Sequence, residues 1–324
     1  MTSRPPTEAK EAPTETKVPS GPQPGAGVAA APDREFTVRA RSQTEVIVRR
    51  FLHHKLAVAS LIVFIGVVLL AFVGGHFWKY KYNVYTDDLS QSPSMKHPFG
   101  TDSTGYDTFS QVLRGTQRSI EIALFVAIVA TVVGSIYGAI AGFRRGGTDS
   151  LMMRIVDMFL TFPILAVAAL LGSKFGSKAN GWFFIALILA VLTWPYVSRV
   201  VRGTVLSLRE KEYIEASRAL GASNSRIIFR HLIPNAMGPI IVAVTILVAL
   251  AILTETALSY VGFGVQFPDT SLGLLVSSGQ TAIDDRPWLF YFPGVFIIII
   301  ALSVNFIGDG LRDAFDPQQT RVRA

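Results

Sequence analysis

Residues 56–77 read LAVASLIVFIGVVLLAFVGGHF, an apolar run that no Asp, Glu, Lys or Arg interrupts. A helix rises 1.5 Å per residue, so about 20 such residues are needed to cross a hydrocarbon core of about 30 Å. Because lipid offers the backbone no hydrogen-bond partners, a run of this length must satisfy its own N–H and C=O groups as a helix. The run therefore predicts a membrane-spanning helix.

Five further apolar runs follow along the chain. They lie at about 122–143, 155–171, 181–201, 237–261 and 288–307. The third is the shortest, and Arg154 and Asp157 make its start the least defined boundary. Of the 324 residues, 50% are hydrophobic and 16% are charged, a composition typical of membrane proteins. We therefore predict an all-α, polytopic membrane protein with six transmembrane helices.

The charge distribution predicts an orientation. Lys and Arg are dispersed in the segments between the apolar runs and form no basic face with interleaved aromatic residues, so the net charge of +7 does not indicate nucleic-acid binding. With the N-terminus placed in the cytoplasm, the cytoplasmic segments hold more than twice as many Lys and Arg as the outer ones. The positive-inside rule then predicts that both termini are cytoplasmic.

The sequence offers no constellation for chemistry. Cys is absent, which excludes disulfides and thiolate metal sites. The five His residues lack metal-ligand spacing, and no GxxxxGK[ST] motif for a nucleotide occurs. We therefore expect no catalytic residue, no metal site and no cofactor bound by this chain.

Composition divides the chain into four parts. Residues 1–34 are rich in Pro, Ala, Thr and Gly without an apolar run, and we predict a disordered cytoplasmic tail there. Residues 35–113 contain the first span and an outer loop. Residues 114–310 form the membrane core, which includes a loop at 206–236, and residues 311–324 form a cytoplasmic C-terminal tail.

Glycines in the second run lie at four-residue spacing, at Gly134, Gly138 and Gly142. This spacing leaves one helix face without side chains, which favours the close approach of another helix. The alternative is a lipid-facing helix that happens to contain glycine. The dipeptides Phe162-Pro163 and Trp194-Pro195 suggest local kinks in the third and fourth runs.

The loop at 206–236 has the pattern of two short helices. Gly221 follows the first helix, where a left-handed C-terminal cap belongs, and Ser223 is placed to cap the second. An apolar strip follows in the second helix and consists of Ile227, Ile228 and Leu232. Pro234 is expected to break the run. Such a loop is suited to docking on a partner, and the alternative is an amphipathic helix on the lipid surface.

This loop resembles the cytoplasmic "EAA" loop of permease subunits of bacterial ABC importers. The match consists of Glu215-Ala216-Ser217, Gly221 and His231-Leu232-Ile233-Pro234. Gly221 and Pro234 match in spacing, whereas Ser217, His231 and Ile233 depart from the family's residues.

Three further stretches resemble signatures of the C-type subunit of the dipeptide/oligopeptide permease group. They read HPFGTDSTGYD at 97–107, ETALSYVGFGVQ at 255–266 and NFIGDGLRDAFDP at 305–317. With the entry to the first span, the resemblance covers about residues 50–317. Tyr106 stands where the family usually has Arg.

The resemblance implies the type I ABC importer permease fold with a cytoplasmic coupling-helix loop, in a bacterial plasma membrane. It implies as partners a homologous six-span permease, two ATPase subunits that bind ATP and Mg²⁺, an extracytoplasmic substrate-binding protein and membrane lipid, with no nucleic acid. Glu215, Ala216 and Ser217 would then couple to the ATPases, Gly221 would set the bend, and the strip of Ile227, Ile228 and Leu232, which Pro234 follows, would supply the contact.

The resemblance implies dipeptides or oligopeptides as substrate, with a nickel chelate, glutathione or a haem-like compound as alternatives. A stand-alone channel or a secondary carrier is the alternative from another class.

Glu255 lies inside the fifth run, and Ser259 shares its helix face. Because an ionisable group at membrane depth is costly, we regard both residues as candidates for the pathway or the subunit interface. The alternative is a structural hydrogen bond to another helix.

Overall fold

The computed structural model describes residues 43–175 and 181–315. Within these ranges the chain is helical, and its only β-type pairs are two isolated bridges, Tyr85 with Tyr106 and Thr101 with Asp107. The predicted disordered tail at 1–34 lies outside the described residues, as does the predicted C-terminal tail beyond 315.

Within residues 43–175 and 181–315, five helices are long and apolar enough to cross a membrane. They are α2 (Lys55–Phe77), α3 (Thr108–Arg144), α6 (Gly181–Leu208), α10 (Met237–Tyr260) and α12 (Trp288–Phe315). The bent pair α4 (Gly146–Thr161) and α5 (Ile164–Phe175) makes a sixth span if the two helices cross as one. The prediction of an all-α membrane protein is confirmed, with five continuous spans and one bent helix pair among the described residues.

Shorter helices connect or flank these spans. They are α1 (Gln43–His53) before the first span, α7 (Glu212–Ala219), α8 (Asn224–Ile227) and α9 (Ile233–Asn235) between α6 and α10, and α11 (Leu272–Gln280) between α10 and α12. A π-helical turn, Ile228–Leu232, joins α8 to α9.

The third span differs from its prediction. The sequence indicates one helix with a local kink, whereas the structure bends by 75° between α4 and α5. Pro163 disfavours the helical conformation at the residue before it, and Phe162 is extended at φ −76° and ψ 134°. The predicted kink at Trp194-Pro195 does not interrupt α6, which continues through Pro195 as one helix.

The predicted glycine face is where α3 packs on α6, the most extensive helix pair in the described chain. A Cβ added to Gly134, Gly138 or Gly142 would lie no more than 3.0 Å from a backbone carbonyl oxygen of α6. At Gly138 the distance to the carbonyl oxygen of Ser198 would be 2.3 Å, closer than non-bonded atoms approach. The prediction of a packing face is confirmed, and the lipid-facing alternative is wrong.

Buried apolar side chains form two clusters along the bundle. The first includes Ile122, Ile185, Leu189, Ile252 and Ile300. The second includes Val197, Val201, Val205, Ile227 and Leu232 and therefore extends into the 206–236 loop. The span α2 is peripheral, because only 17% of its most apolar stretch is buried inside the chain. The corresponding stretch of α6 is 61% buried.

Both ends of the described chain lie on the side of the 206–236 loop. A Cβ on Gly310, near the end of α12, would lie 2.2 Å from the Cβ of Ala57 at the start of α2. The ring of Phe315 lies beside Gly238, just after the loop. A Cβ added to Gly238 would lie 3.2 Å from that ring. The end of α2 therefore lies at the opposite end of the bundle.

We predict that Gly138→Ala lowers the free energy of unfolding by about 1–3 kcal/mol, because the added methyl group must push two helix backbones apart. Thermal unfolding of the detergent-solubilised chain measures the effect. Gly203→Ala is the matched control on α6, since a Cβ there meets no atom within 4 Å. Equal midpoints for the two variants would contradict the packing argument.

Candidate functional site

The elbow, which we define as residues 209–236, bends at Gly221. This residue has φ +79°, its N–H donates to the carbonyl of Arg218 at 2.9 Å, and the N–H of Ala222 donates to the carbonyl of Ser217 at 3.0 Å. These two bonds form the Schellman pattern that closes a helix C-terminus through a left-handed residue. The predicted cap at Gly221 is confirmed.

The second half of the elbow begins as predicted and ends later. The Ser223 hydroxyl accepts a hydrogen bond from the N–H of Arg226 at 3.3 Å, which confirms the predicted N-cap. Pro234 was expected to break the run, but it lies in the first turn of α9, where no backbone N–H donor is required. The interruption comes instead at Ala236, with φ −89° and ψ 0°.

The apolar strip of the elbow faces the chain itself. Ile227 and Leu232 are 0% exposed and Ile228 is 6% exposed, and all three belong to the buried cluster that includes Val201 and Val205 of α6. The expectation that this strip contacts a partner is therefore wrong for this structure. Burial of these side chains instead anchors the elbow on the membrane helices.

The exposed face of the elbow lies at its tip. Leu220, directly before the bend, is 89% exposed and is the most exposed large apolar side chain of the elbow. Glu215 and Ala216 are also exposed, and Ser217 is half-buried. Gly221 is exposed, so the bend itself lies at the surface.

Three arginines join the elbow to the end of α3. Arg209 donates from Nη1 to the carbonyl oxygens of Gly142 and Phe143, at 3.1 and 2.7 Å. The Arg218 guanidinium lies 5.1 Å from the centroid of the Phe143 ring, and Arg145 pairs with an elbow carboxylate at the surface. A cation at the last carbonyls of a helix is stabilised by the helix dipole. The elbow is therefore attached directly to the end of α3.

Glu255 and Ser259 are brought together, but not in an open cavity. The Ser259 hydroxyl donates to Glu255 Oε1 at 2.7 Å, and the Ser119 hydroxyl of α3 donates to Oε2 at 3.2 Å. Glu255 is 0% exposed, and Ser271, which caps α11, lies 3.3 Å from Ser259 between their hydroxyl oxygens. The geometry is that of the structural alternative, a hydrogen bond to another helix.

Asp269 provides a second attachment of this region to α3. Arg114 binds it through Nε and Nη2, at 2.9 and 3.2 Å, and Arg118 binds the same carboxylate. These partners are more than 150 residues apart, so sequence spacing gives no signal for them. The connection between α10 and α11 is held on α3 by ion pairs and by the buried carboxyl of Glu255.

The signature at 97–107 folds as a loop around a buried histidine. His97 Nδ1 lies 2.7 Å from Asp107 Oδ1, with both residues buried, and Asp107 Oδ2 accepts from the N–H of Ser110 at the start of α3. Hydrogen bonds from Lys96 and His97 lower the pKa of Asp88 below its ordinary value, and the bond to Asp88 raises the pKa of Lys96. These residues stabilise the loop.

Across the described ranges, no three His, Asp or Glu side chains converge as metal ligands would. The two carboxylates of the loop at 97–107 have protein partners: Asp102 accepts from the N–H groups of Thr104 and Tyr106, and Asp107 contacts His97.

Two family descriptions match the chain. The family described as "Binding-protein-dependent transport system inner membrane component" matches residues 134–321, and the "N-terminal TM domain of oligopeptide transport permease C" matches residues 42–98. Together the two matches include α2, the glycine face and the elbow.

Curated relatives carry the name "Oligopeptide transport system permease protein OppC". The relative from Bacillus subtilis (strain 168) is 40% identical over 271 residues, covering 83% of this chain and 88% of its own length. The relative from Escherichia coli (strain K12) is 39% identical over 291 residues, covering 88% and 94%. That from Mycobacterium tuberculosis (strain ATCC 25618 / H37Rv) is 39% identical over 283 residues, covering 87% and 97%.

Among solved structures, an inward-facing conformation of the MetNI methionine ABC transporter is similar. The match has a TM-score of 0.53 at 20% identity, and covers 64% of this chain and 97% of that chain. At this identity the likeness concerns the fold.

We predict that Gly221→Ala weakens the elbow by about 1–2 kcal/mol, because a left-handed conformation strains a residue with a Cβ. A Cβ there meets no atom within 4 Å, so the effect isolates backbone strain from packing. Amide hydrogen exchange of α7 in the purified chain measures it. Gly221→Asn is the control, since Asn tolerates this conformation better, and equal exchange in both variants would contradict the account.

We predict that Glu255→Ala lowers stability by about 2–4 kcal/mol, because it leaves a buried void and two serine hydroxyls without their acceptor. Glu255→Gln retains a carbonyl acceptor and the volume, so its midpoint of thermal unfolding should fall less. Thr254→Ala, at the half-buried neighbouring position outside this cluster, is the control. An Ala variant as stable as the unmodified chain would show that the cluster does not support the fold.

Proposed function

The chain belongs to the family of binding-protein-dependent transport system inner membrane components, and from this premise we propose that it is a permease subunit of an ATP-driven importer of oligopeptides. The observation that carries the proposal is the identity of about two residues in five to oligopeptide permeases over more than four-fifths of the chain. The membrane helices and the family description agree with a multi-pass protein of the bacterial inner membrane.

A permease of this family works with partners. We propose a homologous six-span permease that completes the pathway, two ATPase subunits that hydrolyse ATP, and an extracytoplasmic binding protein that delivers the peptide. The present chain then does no chemistry of its own. Its task is to change the arrangement of its spans when the ATPases close.

The elbow is the part of the chain suited to receive the ATPase. Its tip presents Leu220 and Glu215 outward, and its base is anchored by buried Ile227 and Leu232. A docking surface needs an apolar contact for affinity and a firm attachment to transmit force. Both features occur within 20 residues, which supports a coupling role for the motif Glu215-Ala216-Ser217 and Gly221.

The proposal fixes the orientation in the membrane. If the elbow meets cytoplasmic ATPases, the ends of the described chain, which lie at the same end of the bundle, are cytoplasmic as well. The excess of Lys and Arg in these segments agrees with that orientation. The loop around His97 then faces the binding protein.

We predict that Leu220→Asp reduces ATPase binding and peptide uptake at least tenfold, because a charge replaces the main apolar group of the docking tip. The measurement is uptake of a labelled peptide by proteoliposomes that contain both permeases, both ATPases and the binding protein, with ATPase co-purification as the second readout. Leu220→Met is the control, since it preserves the apolar contact and should behave as the unmodified chain.

The same assay tests the alternatives. Uptake without the ATPases would identify a channel or secondary carrier and contradict the proposal. Uptake of a nickel chelate, glutathione or haem in place of peptides would leave the permease role intact and overturn the peptide substrate.

A further inference from the structure

Charged side chains lie on the outer face of α4 and α6 at membrane depth. Asp157 of α4 pairs with Arg199 of α6, and 57% and 54% of these two side chains are exposed. Arg154, one helical turn before Asp157, is exposed as well. Gly138 of α3 packs on Ser198, so Arg199 lies nearly two turns, or roughly 9 Å, inside the elbow end of α3. The pair therefore lies within the apolar runs and below the membrane surface.

The break between α4 and α5 continues the same face. Thr161, one turn after Asp157, is exposed, and so are Phe162 and Pro163. Because α4 begins at Gly146, the break lies about 24 Å along this helix, within a hydrocarbon core of about 30 Å. Non-helical backbone at membrane depth is tolerated only where protein covers it or where it lines a water-filled cavity.

The charges and the broken backbone independently exclude lipid from this face. Water suits the face better than a partner helix does, because a dry contact would strip both charges of their hydration and their mutual attraction repays that cost only in part. In the proposed importer, the water-filled space at membrane depth is the pathway of the substrate.

A second ion pair between the same two helices shows the geometry of a structural clamp. Arg202 donates from Nε and Nη2 to both carboxylate oxygens of Asp149, at 2.6 and 2.7 Å, and Asp149 is buried. Asp157 and Arg199 share a single hydrogen bond and stay half exposed. The first pair already joins α4 to α6, and an exposed pair contributes little to stability, so the second pair is able to exchange partners.

We propose that Asp157 and Arg199 contact the two termini of a peptide in transit. The carboxylate of Asp157 binds the amino group, and the guanidinium of Arg199 binds the terminal carboxylate. Every unblocked peptide carries both charges whatever its sequence, so this pair recognises the substrate class without selecting side chains. The inference rests on the proposed importer function and assigns two substrate-contacting residues within it.

Thiol labelling tests whether the face is wet. The chain contains no Cys, so an introduced thiol is the only one in it. In the complete transporter in proteoliposomes, Thr161→Cys should react with a cationic, membrane-impermeant methanethiosulfonate at least about tenfold faster than Leu69→Cys, because the reactive thiolate forms in water. Leu69 is the matched control, since it is 55% exposed on the peripheral span and lies about as far along α2 as Thr161 lies along α4.

Equally slow reaction of the two thiols would overturn the inference. Peptide uptake by the unmodified transporter is measured in the same vesicles. If that uptake persists, the importer function stands although the contact fails, and if the unmodified transporter takes up no peptide, the function itself fails.

Uptake of a labelled tripeptide below saturation tests the contact. Asp157→Asn and Arg199→Gln should each lower uptake about fivefold, the effect of one lost charge contact, while ATP hydrolysis by the complex is retained. Lys55→Gln, which removes an exposed cation at the start of α2, is the control and should take up peptide as the unmodified chain does. Loss of hydrolysis together with uptake would assign the pair to coupling and overturn the contact.

The double variant Asp157→Arg/Arg199→Asp distinguishes the contact from a latch between α4 and α6. A latch needs only the two opposite charges, in either order, and would regain full uptake. A peptide held in one direction needs each charge at its own place, so we expect uptake to stay low. Restored uptake in the double variant would overturn the inference.

Discussion

The contact between α3 and α6 is the constraint on which the rest of the structure depends. The two backbones meet because Gly134, Gly138 and Gly142 place no side chain between them. In lipid, where apolar side chains gain little from leaving their solvent, such close backbone packing is a main source of helix association. The elbow packs against this helix pair, so its position follows from the glycine face.

Helix α3 is held at both of its ends. At one end, Arg209 binds the last carbonyls of the helix and Arg218 lies on Phe143. In its other half, Ser119 and the arginines bind the region of Glu255 and Asp269. The same helix therefore joins the elbow to the region of Glu255 and Asp269 at the opposite end of the bundle.

Features that depend on neighbours in the sequence were predictable. Five of the six spans, the glycine face and the caps at Gly221 and Ser223 each follow from a few consecutive residues and were predicted correctly. The two proline sites show the limit of local reasoning, because Pro163 breaks a span whereas Pro195 lies inside a continuous helix. The preceding residue is extended at one site and helical at the other, a difference that packing around each proline determines and that no dipeptide reveals.

The direction in which a side chain faces was not predictable. An apolar strip on a basic loop suits either a partner or the body of the chain, and periodicity is the same in both cases. Ile227 and Leu232 face inward because the α3–α6 pair offers a buried surface close by, which the sequence does not display. Because the apolar strip of this loop is buried against the spans and Leu220 is exposed at the bend, the proposed coupling role would require the loop and the spans to move together.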